Sequence, residues 1–172
     1  MHPGASAHWE RMWAGGLAKG AAFDVGSASA TLVGALSRMA PPVNAATALV
    51  PGSGRAYDAL AIARHGFSSV VALDLAPTAC DAARREIDES GHAQAGSVDV
   101  QCGDFFAHEG GPYDLIWDCT FLCALDPSVR AQWAAKHRQL LKPGGQLVTC
   151  VFPIVDKVGG PPYPLSINLI RS

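Results

Sequence analysis

Apolar residues in this chain fall into short runs broken by glycine, proline or an acid. Residues 46–50, Ser69–Asp74, Tyr113–Asp118 and 146–152 are dense in Val, Ile, Leu and Ala with little alternation, as expected of strands covered on both faces. Residues 97–102 are weaker, with Val98 and Val100 alternating against Asp99 and Gln101, and predict a further, less buried strand. Between these runs the apolar spacing becomes helical. Leu32, Val33, Leu36 and Met39 predict a helix over 27–39 that ends at Pro41-Pro42, and residues 57–65 predict another, closed by Gly66. Pro77 opens a third, whose buried stripe is Ala79, Ala82, Ala83 and Ile87. Asp126-Pro127 starts a fourth that places Val129, Trp133, His137, Leu140 and Leu141 on one face and ends at Lys142-Pro-Gly-Gly145.

A strand followed by a helix, four times over and then a fifth strand, means parallel βαβ units. The fold class is α/β, with helices on both faces of one sheet and ligands at the carboxyl edge of the strands. At 172 residues a single domain is expected. Residues 1–26 form its N-terminal segment and 27–172 its Rossmann-like core. The segment is rich in Gly and Ala yet carries Trp9, Trp13 and Phe23. Trp9 and Trp13, four apart, share a face on a helical turn, where they serve either to staple the segment to the core or as an aromatic lid on a ligand.

Charge removes several classes of function. A net charge of −2 gives no footprint for nucleic acid, and no apolar run approaches the ~20 residues that cross a bilayer. The first ten residues lack a basic start and an apolar stretch, so a cytoplasmic location is expected. Cys80, Cys102, Cys119, Cys123 and Cys150 form no Cys-x-x-Cys pair and are expected as reduced, small hydrophobes. His65 and His137 are expected on helix surfaces and His108 in a loop, with no metal site.

The chemistry concentrates where the first strand meets the second helix. Val50-Pro-Gly-Ser-Gly54 is a glycine turn at a helix opening, where backbone N–H groups approach a ligand closely. Asp74, 22 residues after Gly52, ends the next strand, the spacing that presents a carboxylate to a ribose. A lone Gly-x-Gly would suit a nicotinamide dinucleotide nearly as well, although Tyr57 stands where that fingerprint has its third glycine. Gly103-Asp104-Phe105 separates the two, because it offers a carboxylate for an adenine amino group with an aromatic face beside it.

These residues, with Thr120–Leu125, Leu140–Gly145 and Gly159-Gly-Pro-Pro-Tyr163, resemble the S-adenosylmethionine-dependent thiol and halide methyltransferases grouped with thiopurine S-methyltransferase. The resemblance runs from about Trp9 to Ser166. It implies a Rossmann-like class I methyltransferase sheet and S-adenosyl-L-methionine as cofactor. Residue by residue, it implies Trp9 and Trp13 against the cofactor, Gly52 and Gly54 at its methionine end, Asp74 on the ribose, and Asp104 with Phe105 at the adenine. Asp118 and Cys119 fall at the transferred methyl group, Asp118 also within the cofactor set. Asp118 either takes part in the chemistry or satisfies backbone groups at the strand end.

The chain departs from the family at three places. Asp118-Cys119 stands where an Asp-Tyr pair is common, and Cys119 widens the acceptor pocket. Phe23 replaces a third tryptophan, and the family's last antiparallel strands are missing after Gly-Gly-Pro-Pro-Tyr. A shortened chain raises the alternative of a cofactor-binding remnant without turnover. It also predicts a bare edge on the fifth strand, which invites a homodimer or poor solubility. The expected partner is a small methyl acceptor: a thiol, a halide or a thiopurine-like heterocycle. Such nucleophiles need positioning and desolvation more than a general base.

Overall fold

The computed structural model describes residues 3–171, with five parallel strands in the order β3-β2-β1-β4-β5. The strands are β1 (Thr47–Pro51), β2 (Ser69–Asp74), β3 (Val98–Cys102), β4 (Tyr113–Asp118) and β5 (Leu141–Thr149). The helices are α1 (Pro3–Ala14), α2 (Ala30–Leu36), α3 (Tyr57–Arg64), α4 (Pro77–Glu89), α5 (Arg130–Leu140) and α6 (Ile167–Arg171). Strand order reverses between β1 and β4, and that switch point is where open α/β sheets leave a crevice.

Strand side chains alternate between two packed layers, which is why the runs read as continuously apolar. Ala48, Val50, Val70, Ala72, Leu115 and Trp117 face α2, α3 and the Ala83–Ile87 side of α4. Leu49, Val71, Leu73 and Ile116 face the opposite layer, built on Trp133 and Leu140 of α5 together with Phe105 and Leu122. Ala79 and Ala82 turn to a third cluster, where Trp9, Trp13 and Leu17 cover them. The small residues of α4 thus admit the N-terminal segment as well as the sheet.

Several expected boundaries move. Helix 27–39 contracts to Ala30–Leu36, with Ser29 at its N-cap. The start at Asp126 is a single 3-10 turn, in which the Asp126 carboxylate accepts from Ser128 N, and α5 follows it. Lys142–Gly145 is no loop before the fifth strand. β5 begins at Leu141 opposite Tyr113, the next pairing is Leu115 with Gln146, and the intervening residues bulge out of register. A bulge adds residues to one strand without ending the ladder. β5 closes at Thr149 rather than Phe152. His137, expected on a helix surface, is 1% exposed because α5 turns it inward against Phe105 and Trp133.

Candidate active site

At the carboxyl end of β1 the chain reverses through Gly52 (φ +64°), Gly54 (φ +53°) and Ala56 (φ +62°). Two glycines carry this left-handed backbone without strain, and the alanine holds it at a cost of about 1–2 kcal/mol. The turn is tied to β2: Ser53 N donates to the Leu73 carbonyl at 3.1 Å and Gly54 N to Asp74 Oδ2 at 2.9 Å. The other Asp74 oxygen accepts from Ala76 N at 3.0 Å. Burial pushes the Asp74 carboxyl up, against the pull of these backbone bonds. With Leu75 N also donating, these bonds still leave part of a carboxylate's roughly four acceptor sites. Ser53 Oγ, inside the turn, is buried without a partner among the described residues. A carboxylate with spare acceptor capacity beside an orphaned hydroxyl suits a ligand rich in hydroxyl groups.

Aromatic rings close over the turn from two sides. A Cβ on Gly54 would lie 3.3 Å from Trp13, and one on Gly52 would lie 2.8 Å from Phe121. Trp13 is buried; Trp9, half-buried, reaches the turn's surroundings through Phe23, whose ring sits edge-on to both tryptophans at 5.7 and 5.9 Å. The tryptophans staple the segment to the core, Trp13 packing on α4 and lying beside Gly54.

The segment is latched as well as packed. The Arg55 guanidinium donates to Asp24 Oδ2 at 2.7 Å and to the Leu17 carbonyl at 2.6 Å, and lies 5.4 Å from the Trp13 ring. Glu10 accepts from the backbone N and the hydroxyl of Thr78, in the first turn of α4. Neither latch was legible in sequence, because each joins residues far apart in the chain.

After β3, Asp104 Oδ1 accepts from Phe106 N at 2.8 Å. The half-buried carboxylate lines a cleft of about 310 Å³ with Leu73, Gly103 and Ala107. Phe105 points inward, 2% exposed, between Phe121 at 5.1 Å and His137 at 4.8 Å.

After β4, Asp118 is fully buried and accepts from Leu122 N at 3.1 Å and Trp133 Nε1 at 2.7 Å. Burial outweighs both bonds and pushes its pKa up to about 6. Cys119 is half-buried, next to Thr120 at φ +60°. Asp58, in the first turn of α3, is a half-buried acid that sequence reasoning missed. Its carboxylate accepts from Ser29 N at 2.7 Å and Trp117 Nε1 at 2.6 Å, so it joins α2 to β4, and burial pushes it up. Its position in an acidic first turn was the available signal. Among the described residues no cluster of three or more His, Cys, Asp or Glu could hold a metal ion, and no helix is long and apolar enough to cross a membrane.

The glycine turn, Asp74, Asp104 and Asp118 therefore lie on one sheet edge. The family model for thiopurine S-methyltransferase matches residues 4–170. The chain belongs to that family. It is 37% identical over 172 residues to a protein of Arabidopsis thaliana named "Probable thiol methyltransferase 2", covering 98% of this chain and 71% of the relative. It is 34% identical to thiocyanate methyltransferase 1 of Brassica oleracea, over 93% of this chain and 68% of that one. Thiopurine S-methyltransferase of Pseudomonas fluorescens is also 34% identical, over 70% and 61%.

Solved structures agree at the level of fold. A glycopeptide N-methyltransferase complexed with (S)-adenosyl-L-methionine superposes with a TM-score of 0.61 at 19% identity, over 70% of this chain and 53% of that one. A structure titled for conversion of a disulfide bond into a thioacetal group during echinomycin biosynthesis gives 0.73 at 19%, over 96% and 75%. The five-stranded parallel sheet with helices on both faces is the Rossmann-like sheet of class I methyltransferases. The family is one of S-adenosylmethionine-dependent methyltransferases, and this chain is an enzyme of that class.

Proposed function

We propose that the protein transfers a methyl group from S-adenosyl-L-methionine to a small soft nucleophile, namely a thiol, a halide or a thiopurine-like heterocycle. The observation that carries this is that Gly52 and Gly54 beside the strand-order switch, Asp74 after β2 and Asp104 after β3 share one carboxyl edge of the sheet. Asp74 takes the ribose hydroxyls with its spare acceptor sites, and Ser53 Oγ gains the partner it lacks. Asp104 meets the adenine amino group, with Phe105 beneath the loop that carries it. The turn at Gly52 and Gly54 receives the methionine end, under Trp13 and Trp9.

When bound, the cofactor supplies an electrophilic methyl on a positively charged sulfur. The chain's own residues position the acceptor and exclude water. Asp118 holds the turn that carries Phe121 and Leu122, and so acts as a positioning residue at the methyl-transfer end. Cys119 lines the acceptor side. A thiol of pKa ~8.5 is partly thiolate near neutral pH, so the protein need bring it only to roughly 3–3.5 Å of the methyl, in line. β5 is one of the two outer strands of the sheet, and pairing of two copies along it is proposed with the reading; concentration-dependent light scattering tests that part.

The activity is tested by incubating the purified chain with methyl-labelled donor and, in parallel, hydrosulfide, thiocyanate, iodide and an aromatic thiol. Labelled methylated product from at least one of them is expected. A folded preparation that binds S-adenosylhomocysteine and methylates none of them would overturn the proposal.

A further inference from the structure

Cys119 and Cys150 are the first residues past the ends of β4 and β5. The ladder pairs Asp118 with Thr149 and extends one bond further, because Cys150 N donates to the Asp118 carbonyl at 2.8 Å. The register thus carries the two cysteines side by side. Both side chains are half-buried and pack on the same layer, against the cluster containing Trp117. The neighbouring Cys150 thiol, with burial, drives Cys119 above the ordinary thiol range, while the neighbouring Cys119 thiol draws Cys150 below it. Neighbouring strands lie about 4.8 Å apart, inside the roughly 4.4–6.8 Å Cα span that a disulfide bridges. Cys80, Cys102 and Cys123 lie elsewhere, Cys102 exposed and the other two buried.

We propose that Cys119 and Cys150 form a dithiol modification site that exchanges with low-molecular-weight disulfides, and that its closure shuts the methyl-transfer end of the site. The Cys150 thiolate attacks one sulfur of the small disulfide, whose S–S bond breaks to release one thiolate, which takes up a proton. Cys119 then gives its proton to solvent, and its sulfur attacks Cys150 Sγ, expelling the second small thiolate. Two protein thiols are oxidised by two electrons and the small disulfide is reduced to two thiols. Cys119 is joined to Phe121 through Thr120, a non-glycine residue at φ +60°, and the Phe121 ring lies against Gly52. A Cys119–Cys150 bond pins this three-residue link to the segment after β5 and fixes Phe121 on the turn. The closure rests on the methyltransferase reading; the disulfide rests on the strand register alone.

The test equilibrates the full chain with graded ratios of oxidised to reduced glutathione, unfolds it in guanidinium chloride with N-ethylmaleimide present so that buried free thiols are trapped too, and maps the peptides by fragmentation mass spectrometry. A Cys119–Cys150 link is expected to form while Cys80 and Cys123 stay alkylatable, and dithiothreitol should reverse it. Calorimetry should show weaker S-adenosylhomocysteine binding by the oxidised form, and methyl transfer should fall about tenfold to a hundredfold, the scale set by misplaced reacting groups. Cys150→Ser and Cys150→Ala should keep the turnover of the reduced wild type and lose its sensitivity to glutathione disulfide. Glutathione fixed on Cys102, with Cys119 and Cys150 still separately alkylated, would overturn the proposal. So would a Cys119–Cys150 link that leaves cofactor affinity unchanged. If the reduced protein methylates nothing, the functional reading fails, while mapping and calorimetry still decide the dithiol.

Discussion

The Asp118 carboxylate carries a desolvation cost at neutral pH that a proton would relieve. Leu122 N and Trp133 Nε1 donate to it at 3.1 and 2.7 Å, yet its pKa rises from 3.8 to about 6. A raised pKa means that the folded chain binds the proton more tightly than the unfolded one. The stability it contributes is therefore fully present below pH 3.8 and is lost as pH rises through about 6. At roughly 1.4 kcal/mol per pH unit, that interval is worth about 3 kcal/mol. Asp118→Asn removes the titration and keeps the shape. It also turns an amide donor toward one of the two existing donors, a cost of about 1–3 kcal/mol that does not depend on pH. Urea unfolding of both proteins from about pH 4 to about pH 7 separates the two effects. The deficit of the variant should be largest in acid and shrink by up to about 3 kcal/mol toward neutrality. A wild-type-minus-variant difference that stays flat across this range would refute the assignment of a buried, charged carboxylate at the end of β4.

Three further outcomes follow from the same geometry. Gly52→Ala forces a left-handed alanine, costing about 1–2 kcal/mol, and drives a Cβ into Phe121; calorimetry should show loss of S-adenosylhomocysteine affinity with far-UV circular dichroism unchanged. Arg55→Ala leaves the Asp24 side chain, 2% exposed, without its guanidinium. That should cost about 3 kcal/mol and speed proteolytic cleavage of residues 15–26 ahead of the sheet. His137, pushed down by burial to about 4 from 6.5, adds stability above pH 6.5 that is lost as pH falls through about 4. His137→Leu should remove that acid-side loss in pH-dependent thermal melts, and an unchanged acid branch would contradict the buried neutral imidazole.

The strands were legible because both faces of the sheet are covered, so Ser69–Asp74 and Tyr113–Asp118 read as mostly apolar runs closing on an acid, with the observed limits. The glycine turn and the acids at strand ends were legible because backbone conformation and topology dictate their spacing. The Lys142–Gly145 bulge was not, since Pro-Gly-Gly signals a loop and only the pairing of Leu141 and Gln146 with β4 on either side continues the strand across it. Nor was the inward turn of His137 and Phe105, which pack on each other from separate elements. The Cys119–Cys150 pair is likewise a product of strand register. Of the N-terminal segment, sequence showed the shared face of Trp9 and Trp13, while the latches through Arg55 and Glu10 depend on residues that only the fold brings near.

The central claim is that S-adenosyl-L-methionine lies along this sheet edge with its ribose on Asp74. Titration calorimetry of S-adenosylhomocysteine into the wild type, Asp74→Asn and Asp104→Asn tests it most directly. A hydrogen bond to a charged group is worth roughly 1.5–3 kcal/mol. Asp74→Asn should therefore weaken binding about tenfold to a hundredfold, with Asp104→Asn also weakened and both variants folded by circular dichroism. Wild-type affinity in both variants, or no heat of binding from the wild type, would contradict it.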